Sequence, residues 1–142
     1  MTALYIAGSS RELDRCEAAI AYARSLDLEI TCDWVASMRA LAASGRLPAD
    51  RSPEQQRAAI IDLRGIINAR VVVLLASAHE SEMRVEYGYA LRGGTPVVVS
   101  RAAGPETYRF FDVVCPYETS TDEGAIVLAK SLAQPQAVEA GR

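Results

Sequence analysis

Glu86 is the residue of this sequence that is best suited to nucleophilic chemistry. It lies within residues 83–90, a segment with a helical pattern that follows the aliphatic run 71–75. Apolar neighbours share its turn, and Gly88 permits close approach of a ligand or of another backbone. A carboxylate near an apolar sheet edge is poorly solvated and can attack an electrophilic carbon. The alternative is that Glu86 is an ordinary solvated helix charge.

Asp62 is a second carboxylate in an apolar setting, because aliphatic residues flank it on a predicted helix. It either faces a site or lies on an exposed strip between two buried ones. His79 is the only histidine and lies in a predicted loop beside Glu80. The sequence shows no Ser or Cys at a recognisable nucleophile turn and no cluster of metal ligands. We therefore expect neither a hydrolytic triad nor a metal, and no cofactor.

The turn Gly8-Ser9-Ser10-Arg11 leads from a predicted strand into a predicted helix. Free backbone N–H groups and the helix dipole favour an anion such as phosphate at this point. Two hydroxyls and a guanidinium strengthen the attraction. There is no G-x-G-x-x-G motif and no Walker lysine, so the turn is not a dinucleotide fingerprint. The alternative is that Ser10 only caps the helix.

Three further residues are candidates for the lining of the site. Asp33 and Trp34 follow the second predicted strand, and Ser81 lies between the third strand and Glu86. In an open parallel sheet, ligands bind at the carboxyl ends of the strands, near the point where the strand order reverses. We therefore expect Asp33, Trp34 and Ser81 to contact the substrate. For Trp34, stacking on a base competes with simple core packing.

The elements that must position these residues alternate between β-rich runs and helical patterns. Strands are predicted at residues 3–7, 28–32, 71–76, 96–100 and 113–117, and helices at 12–26, 53–69, 81–92 and 121–132. The unbroken aliphatic run of the third strand is typical of a strand covered by helices on both faces, which predicts an α/β fold with a five-stranded parallel sheet. Strand one should lie between strands two and three, because crossover connections are right-handed.

Connections between the elements carry additional signals. The helix at 53–69 has an explicit start, since Ser52 can cap it, Pro53 suits its first position and Gln55 completes a capping box. Residues 36–51 form a connection longer than usual, which predicts a lid or, alternatively, an extra surface helix with no role. Residues 134–142 are polar and should fray, so a single domain spans residues 1–133.

Bulk composition limits the class of protein. A chain of 142 residues that is 50% apolar and 23% charged fits one globular domain. A net charge of -3 removes any general electrostatic reason to bind a nucleic acid polymer or an anionic membrane. Three widely spaced cysteines indicate reduced thiols. The sequence enters a strand-like run directly and has no apolar stretch near ~20 residues, so we expect a cytoplasmic protein.

Three motifs in combination resemble the nucleoside 2-deoxyribosyltransferase family, which includes the 2′-deoxynucleoside 5′-phosphate N-hydrolases. They are the run 4–11, Asp62 eight residues before the strand start at 70–73, and the run 85–90. The similarity extends over residues 3–100, with the motifs in the same order and at compatible spacing.

The resemblance implies a single-domain flavodoxin-like sheet and a double-displacement reaction at the N-glycosidic bond of a (deoxy)nucleoside or its 5′-monophosphate. Glu86 occupies the position of the family's nucleophilic glutamate, and Asp62 that of an aspartate that binds the sugar and assists the leaving base. Tyr5 matches a tyrosine that positions the nucleophile, while Gly8 and Arg11 match the phosphate-side loop. The resemblance also implies a homodimer or higher homo-oligomer in which a neighbouring subunit completes the site.

The acidic loop before Glu86 departs from the family pattern. Glu82 stands where a glycine is common, and together with Glu80 it would repel a 5′-phosphate. The choice between nucleoside and nucleotide is therefore open, as is the choice between hydrolysis and transfer. The same loop favours a rival interpretation, a non-catalytic nucleotide-binding or sensor domain that shares the fold.

Overall fold

The computed structural model of the protein describes residues 2–45, 52–78, 83–104 and 117–135. Within these ranges the chain alternates between strands and helices. In chain order these are β1 (Ala3–Ala7), α1 (Leu13–Ser25), β2 (Glu29–Ile30), α2 (Trp34–Ser44), α3 (Pro53–Asn68), β3 (Val71–Leu75), α4 (Met83–Arg92), β4 (Val97–Ser100), β5 (Tyr117–Thr119) and α5 (Asp122–Ala133). A short 3-10 turn at Ser10–Glu12 precedes α1.

All five strands form one parallel sheet in the order β2-β1-β3-β4-β5. β1 lies between β2 and β3, as the crossover rule predicts, and β3 is the middle strand. This strand order is that of flavodoxin-like proteins, in which the order reverses between β1 and β3. The predicted fold class is confirmed.

The two faces of the sheet carry separate hydrophobic cores, because successive residues of a strand point to opposite sides. On one face, Leu4 and Ile6 pack with buried residues of α1 and α5. On the other face, Tyr5 and Ala7 pack with buried residues of α3 and α4. Since Asp62 is in α3 and Glu86 is in α4, both candidate carboxylates are on helices that cover the Tyr5 face.

Local signals predicted most boundaries to within two residues. Ser52 caps α3 by accepting a hydrogen bond from the Gln55 amide at 3.2 Å, with Pro53 at the first position. β1 has the predicted bounds, whereas β2 keeps only the middle of the predicted run 28–32. β5 begins at Tyr117, where the predicted strand ends, and residues 113–116 lie outside the described ranges.

The first part of the predicted connection at 36–51 is helical, so it matches the alternative of an additional helix. Asp33 caps α2 by accepting from the Ala36 amide at 3.0 Å, and Gly45 ends the helix in the left-handed conformation. α2 packs against α1, where Arg39 forms ion pairs with Asp14 and Glu17. Residues 46–51, the rest of the predicted lid, lie outside the described ranges.

The carboxyl-terminal helix α5 ends at Ala133, within one residue of the prediction. Residues 136–142 of the predicted tail lie outside the described ranges. Across the described part of the chain, no helix combines the length and apolar character that crossing a membrane requires.

Candidate functional site

Tyr5 and Glu86 form the central contact of the candidate site. The Tyr5 hydroxyl donates a hydrogen bond to Oε1 of Glu86 at 2.6 Å, across 81 residues of sequence. Tyr5 is fully buried in β1, and Glu86 is half-buried in the first turn of α4. Burial raises the pKa of Tyr5 above its ordinary value, and the Glu86 charge and hydrogen bond raise it further. The phenol therefore stays neutral and remains a donor to the carboxylate.

Asp62 lies on the same side of the sheet, at the end of β2. Its Oδ1 accepts a hydrogen bond from the Cys32 thiol at 3.3 Å. The charge of Asp62, like that of Glu86, contributes to the raised pKa of Tyr5, after burial as the main cause. Tyr5, Cys32, Asp62 and Glu86 thus form one cluster beside β1 and the end of β2. We call these four residues the carboxylate cluster.

Gly65 lets α3 approach the sheet closely at this cluster. A Cβ at Gly65 would lie 2.6 Å from the Cys32 Cβ and 3.0 Å from Cδ2 of Tyr5, so any side chain would collide with both. The Gly65 carbonyl also accepts a hydrogen bond from the Thr31 hydroxyl at 2.7 Å. Asp62 is one helical turn before Gly65 on the same face of α3. The close approach therefore determines where the Asp62 carboxylate lies.

The turn from Gly8 to Arg11 follows β1 at the same edge of the sheet. A Cβ at Gly8 would lie 2.4 Å from Sγ of Cys16, so α1 packs against a position that only glycine can occupy. The Ser9 hydroxyl accepts from the Arg11 amide at 3.2 Å, which makes Ser9, rather than Ser10, the cap of the short 3-10 turn. Burial raises the pKa of Cys16 to about 12, and the Glu86 charge is among the smaller causes.

Arg11 is exposed and lines a shallow surface depression of about 260 Å³ with Ser10, Asp14 and Arg39. Tyr5, Asp62 and Glu86 are not among the residues that line it. The structure thus brings Gly8 to the sheet edge that carries the carboxylate cluster, and it places the Arg11 side chain at the surface beside α1.

Asp33 and Trp34 have structural partners at the end of β2. Besides capping α2, Asp33 forms an ion pair with Arg24 at 2.7 Å. The Trp34 indole N–H donates to the Ile6 carbonyl at 2.8 Å, and the ring packs against both hydrophobic cores. This geometry favours the packing interpretation of Trp34 over stacking on a base. Ser81 lies outside the described residues, as do His79, Glu80 and Glu82.

Arg15 ties the carboxyl ends of β3 and β4 to the helices of the opposite face. Its guanidinium binds both carboxylate oxygens of Asp122, at 2.7 and 2.8 Å, and the Ala76 carbonyl at 2.9 Å. Ser100 donates to the same carboxylate. Burial would raise the pKa of Asp122, but the hydrogen bonds from Arg15 and Ser100 outweigh it and lower the pKa. This network supports the point where the chain leaves β3 on its way to Glu86.

Cys32 and Gly65 belong to the candidate site but were not among its predicted residues. Two signals pointed to them. Cys32 ends the predicted second strand beside Asp33, at the edge where ligands bind. Gly65 is an isolated glycine inside a helical pattern, and such a glycine often marks close packing. Neither signal names the partner, because Cys32 and Asp62 are 30 residues apart.

Fold and site together define a doubly wound α/β protein in which two helix carboxylates, Glu86 and Asp62, accept hydrogen bonds from Tyr5 of β1 and from Cys32 after β2. No family model matches the chain, and no match is found among curated proteins. Among solved structures, the chain is similar to a conserved protein from Enterococcus faecalis V583, with 21% sequence identity and a TM-score of 0.50. The similarity covers 90% of this chain and 87% of that one. At this identity the likeness supports the fold alone.

Proposed function

We propose that this protein belongs with the nucleoside 2-deoxyribosyltransferases and cleaves or exchanges the N-glycosidic bond of a (deoxy)nucleoside or its 5′-monophosphate, with Glu86 as nucleophile. One observation carries the proposal. A neutral buried hydroxyl, Tyr5, holds a carboxylate oxygen of Glu86 at 2.6 Å, and a second carboxylate, Asp62, lies in the same cluster. Two carboxylates in one cluster suit glycosidic chemistry, because one can attack carbon while the other assists the leaving group.

The proposed reaction has two displacements. In the first, the bond between the anomeric carbon and the base breaks, and its electron pair leaves with the base, which takes up a proton. The positive charge that develops on the sugar is stabilised by the Glu86 carboxylate, which then forms a bond to the anomeric carbon. In the second, water or another base attacks that carbon and loses a proton to solvent, while the bond to Glu86 breaks and its electron pair returns to the carboxylate. Asp62 binds the sugar and assists departure of the base, while Tyr5 keeps the Glu86 carboxylate oriented.

The substrate class includes both nucleosides and their 5′-monophosphates. The amides of Arg11 and Glu12 are already bonded to the hydroxyl and carbonyl of Ser9, so within this turn a phosphate contact would use the amides of Ser9 and Ser10 and the Arg11 guanidinium. A cytoplasmic location is part of the proposal and agrees with the free thiols of Cys16 and Cys32.

A homodimer is a further part of the proposal. α3 and α4, the helices that carry Asp62 and Glu86, expose aliphatic and aromatic side chains with 43–63% of their area accessible. These are Ile60, Ile61, Ile67, Val85, Tyr89 and Leu91. An apolar surface shared by neighbouring helices is typical of a protein interface, and most soluble oligomers are symmetric homo-oligomers. A second copy bound there would lie beside the carboxylate cluster.

The proposal is tested by measuring free base released from a panel of deoxynucleosides and their 5′-monophosphates, with and without an acceptor base. Glu86→Ala should reduce base release by several orders of magnitude, because covalent catalysis is lost. Each factor of ten corresponds to about 1.4 kcal/mol of activation barrier. Asp62→Asn should reduce base release less, since the amide keeps the size and some hydrogen bonding. Glu123→Ala, an exposed carboxylate in the first turn of α5, is the matched control and should match the wild type.

A second measurement detects the intermediate itself. A 2-fluoro-substituted substrate analogue slows the second displacement, so mass spectrometry of the wild type should find a glycosyl adduct on the peptide that contains Glu86. Base release at the wild-type rate by Glu86→Ala would rule out this nucleophile. If the wild type binds nucleotides but releases no base from any member of the panel, the non-catalytic nucleotide-binding domain becomes the better account.

A further inference from the structure

Cys32 makes a contact with Asp62 that resembles the contact of Tyr5 with Glu86. In each case a neutral donor, Tyr5 in β1 or Cys32 just after β2, bonds to a carboxylate from a covering helix. The Cys32 thiol donates to Oδ1 of Asp62 at 3.3 Å, a normal distance for a hydrogen bond from sulfur, and the thiol is half-buried. The two pairs adjoin each other, since a Cβ on Gly65 would lie 2.6 Å from the Cys32 Cβ and 3.0 Å from Cδ2 of Tyr5.

The Cys32 thiol is a hydrogen-bond donor rather than a nucleophile. Burial raises the pKa of Cys32 to about 12, and the hydrogen bond and charge of Asp62 contribute to the rise. At neutral pH the sulfur therefore keeps its proton, and a protonated thiol is a weak nucleophile. The protonated thiol can donate a hydrogen bond, and Asp62 is its acceptor in the structure.

The backbone around Cys32 is fixed on two sides. Gly65 leaves room for the Cys32 Cβ against α3, since a Cβ on Gly65 would lie 2.6 Å from it. Thr31, the preceding residue, donates its hydroxyl to the Gly65 carbonyl at 2.7 Å and to the Leu4 carbonyl at 3.2 Å. The thiol is thus presented to Asp62 from a position tied to both α3 and β1.

We propose that Cys32 is a positioning residue, which holds the Asp62 carboxylate toward Tyr5 and Glu86 through its thiol hydrogen bond. This inference rests on the function proposed above, in which Asp62 binds the sugar and assists the leaving base. A side chain that is fixed before substrate binds need not be ordered in the transition state, so the hydrogen bond contributes to the rate.

The kinetic test compares kcat/KM for base release in Cys32→Ser, Cys32→Ala, Asp62→Ala and the double variant Cys32→Ala/Asp62→Ala. Cys32→Ser keeps a donor of similar size and should remain within about threefold of the wild type, whereas Cys32→Ala should lose about tenfold. In the Asp62→Ala background, Cys32→Ala should change the rate by less than about twofold, because its partner is gone. An equal loss in both backgrounds would mean that Cys32 acts only through packing, and would overturn the inference.

A spectroscopic test reports the hydrogen bond without any catalysis. The S–H stretching band of Cys32, assigned by its loss in Cys32→Ser, should move to higher frequency in Asp62→Ala, while the band of buried Cys16 should not move. An unchanged Cys32 band would overturn the inference whatever the rates are. If the band moves but Cys32→Ala retains the wild-type rate, the positioning role is wrong and the proposed function stands. If the band moves and the wild type releases no base, the proposed function fails, and with it the role in catalysis.

Discussion

Tyr5 is fully buried, and the hydroxyl of its side chain donates a hydrogen bond to the charged carboxylate of Glu86. A hydrogen bond to a charged acceptor stabilises more than one between neutral groups, typically by about 1.5–3 kcal/mol. Here the donor is attached to a rigid strand in the middle of the sheet, so the bond also limits the directions in which the Glu86 carboxylate can point. From the sequence, the family resemblance was the only reason to predict that Tyr5 and Glu86 belong to one site.

Replacing Tyr5 by Phe removes this hydroxyl and leaves the ring in place. If Glu86 is the nucleophile, kcat/KM for base release should fall by about ten- to a hundredfold, the equivalent of one charge-assisted hydrogen bond. Chromatographic detection of free base provides the measurement. Tyr22→Phe is the control, because Tyr22 packs on the opposite face of the sheet and should leave the rate unchanged. Equal rates for Tyr5→Phe and wild type would contradict the role given to Tyr5.

Helix α3 shows how one element combines a local signal with a tertiary one. Its start depends on Ser52, Pro53 and Gln55, which are neighbours in sequence, so the capping pattern predicted it correctly. Gly65 is different. In an isolated helix, glycine costs about 1 kcal/mol relative to alanine, and only the collision with Cys32 and Tyr5 explains its presence.

Two glycine substitutions should therefore change stability in opposite directions. Gly65→Ala should lower the free energy of unfolding and base release together, because α3 must move away from Cys32 and the Tyr5 ring. Gly88→Ala in α4 meets nothing within 4 Å, so its helix propensity should raise the free energy of unfolding by about 0.5–1 kcal/mol. Urea denaturation of both variants measures these changes. A stabilised, fully active Gly65→Ala variant would show that the close approach of α3 is not needed.

On the scale of the whole molecule, the two hydrophobic cores keep titratable groups neutral. Cys16 is buried on the α1 face, while Cys32 and Tyr5 lie on the α3 face. Burial raises the pKa of each thiol from its ordinary value of 9.0 to about 12. In the unfolded chain these thiols lose their protons above pH 9, whereas in the folded protein they keep them until the pH approaches 12.

The free energy of unfolding should consequently decrease as the pH rises from 9 toward 12, because the unfolded state binds fewer protons there. Below pH 9 the contribution of the thiols is fully present. For Cys16 alone the slope approaches about 1.4 kcal/mol per pH unit. Urea denaturation at pH values up to about 11 measures it. Cys16→Ser, which has no thiol to titrate, should show a shallower slope whatever its stability at neutral pH. The same slope in both proteins would contradict the assignment.

The architecture could be predicted from the sequence, because the signals that specify it are local. An unbroken aliphatic run at 71–75, alternating with helical patterns, is sufficient to predict a parallel sheet covered on both faces. α2 was predicted only as the alternative to a lid, since its Ala- and Ser-rich residues carry a weak pattern and its contacts are with α1. The hydrogen bonds from Cys32 to Asp62 and from Arg15 to Asp122 could not be predicted, because they join residues that are 30 and 107 positions apart in sequence. Crossover connections and packing determine which helix covers which face of the sheet. A shift of one residue in the register of β1 would turn the Tyr5 side chain to the other face.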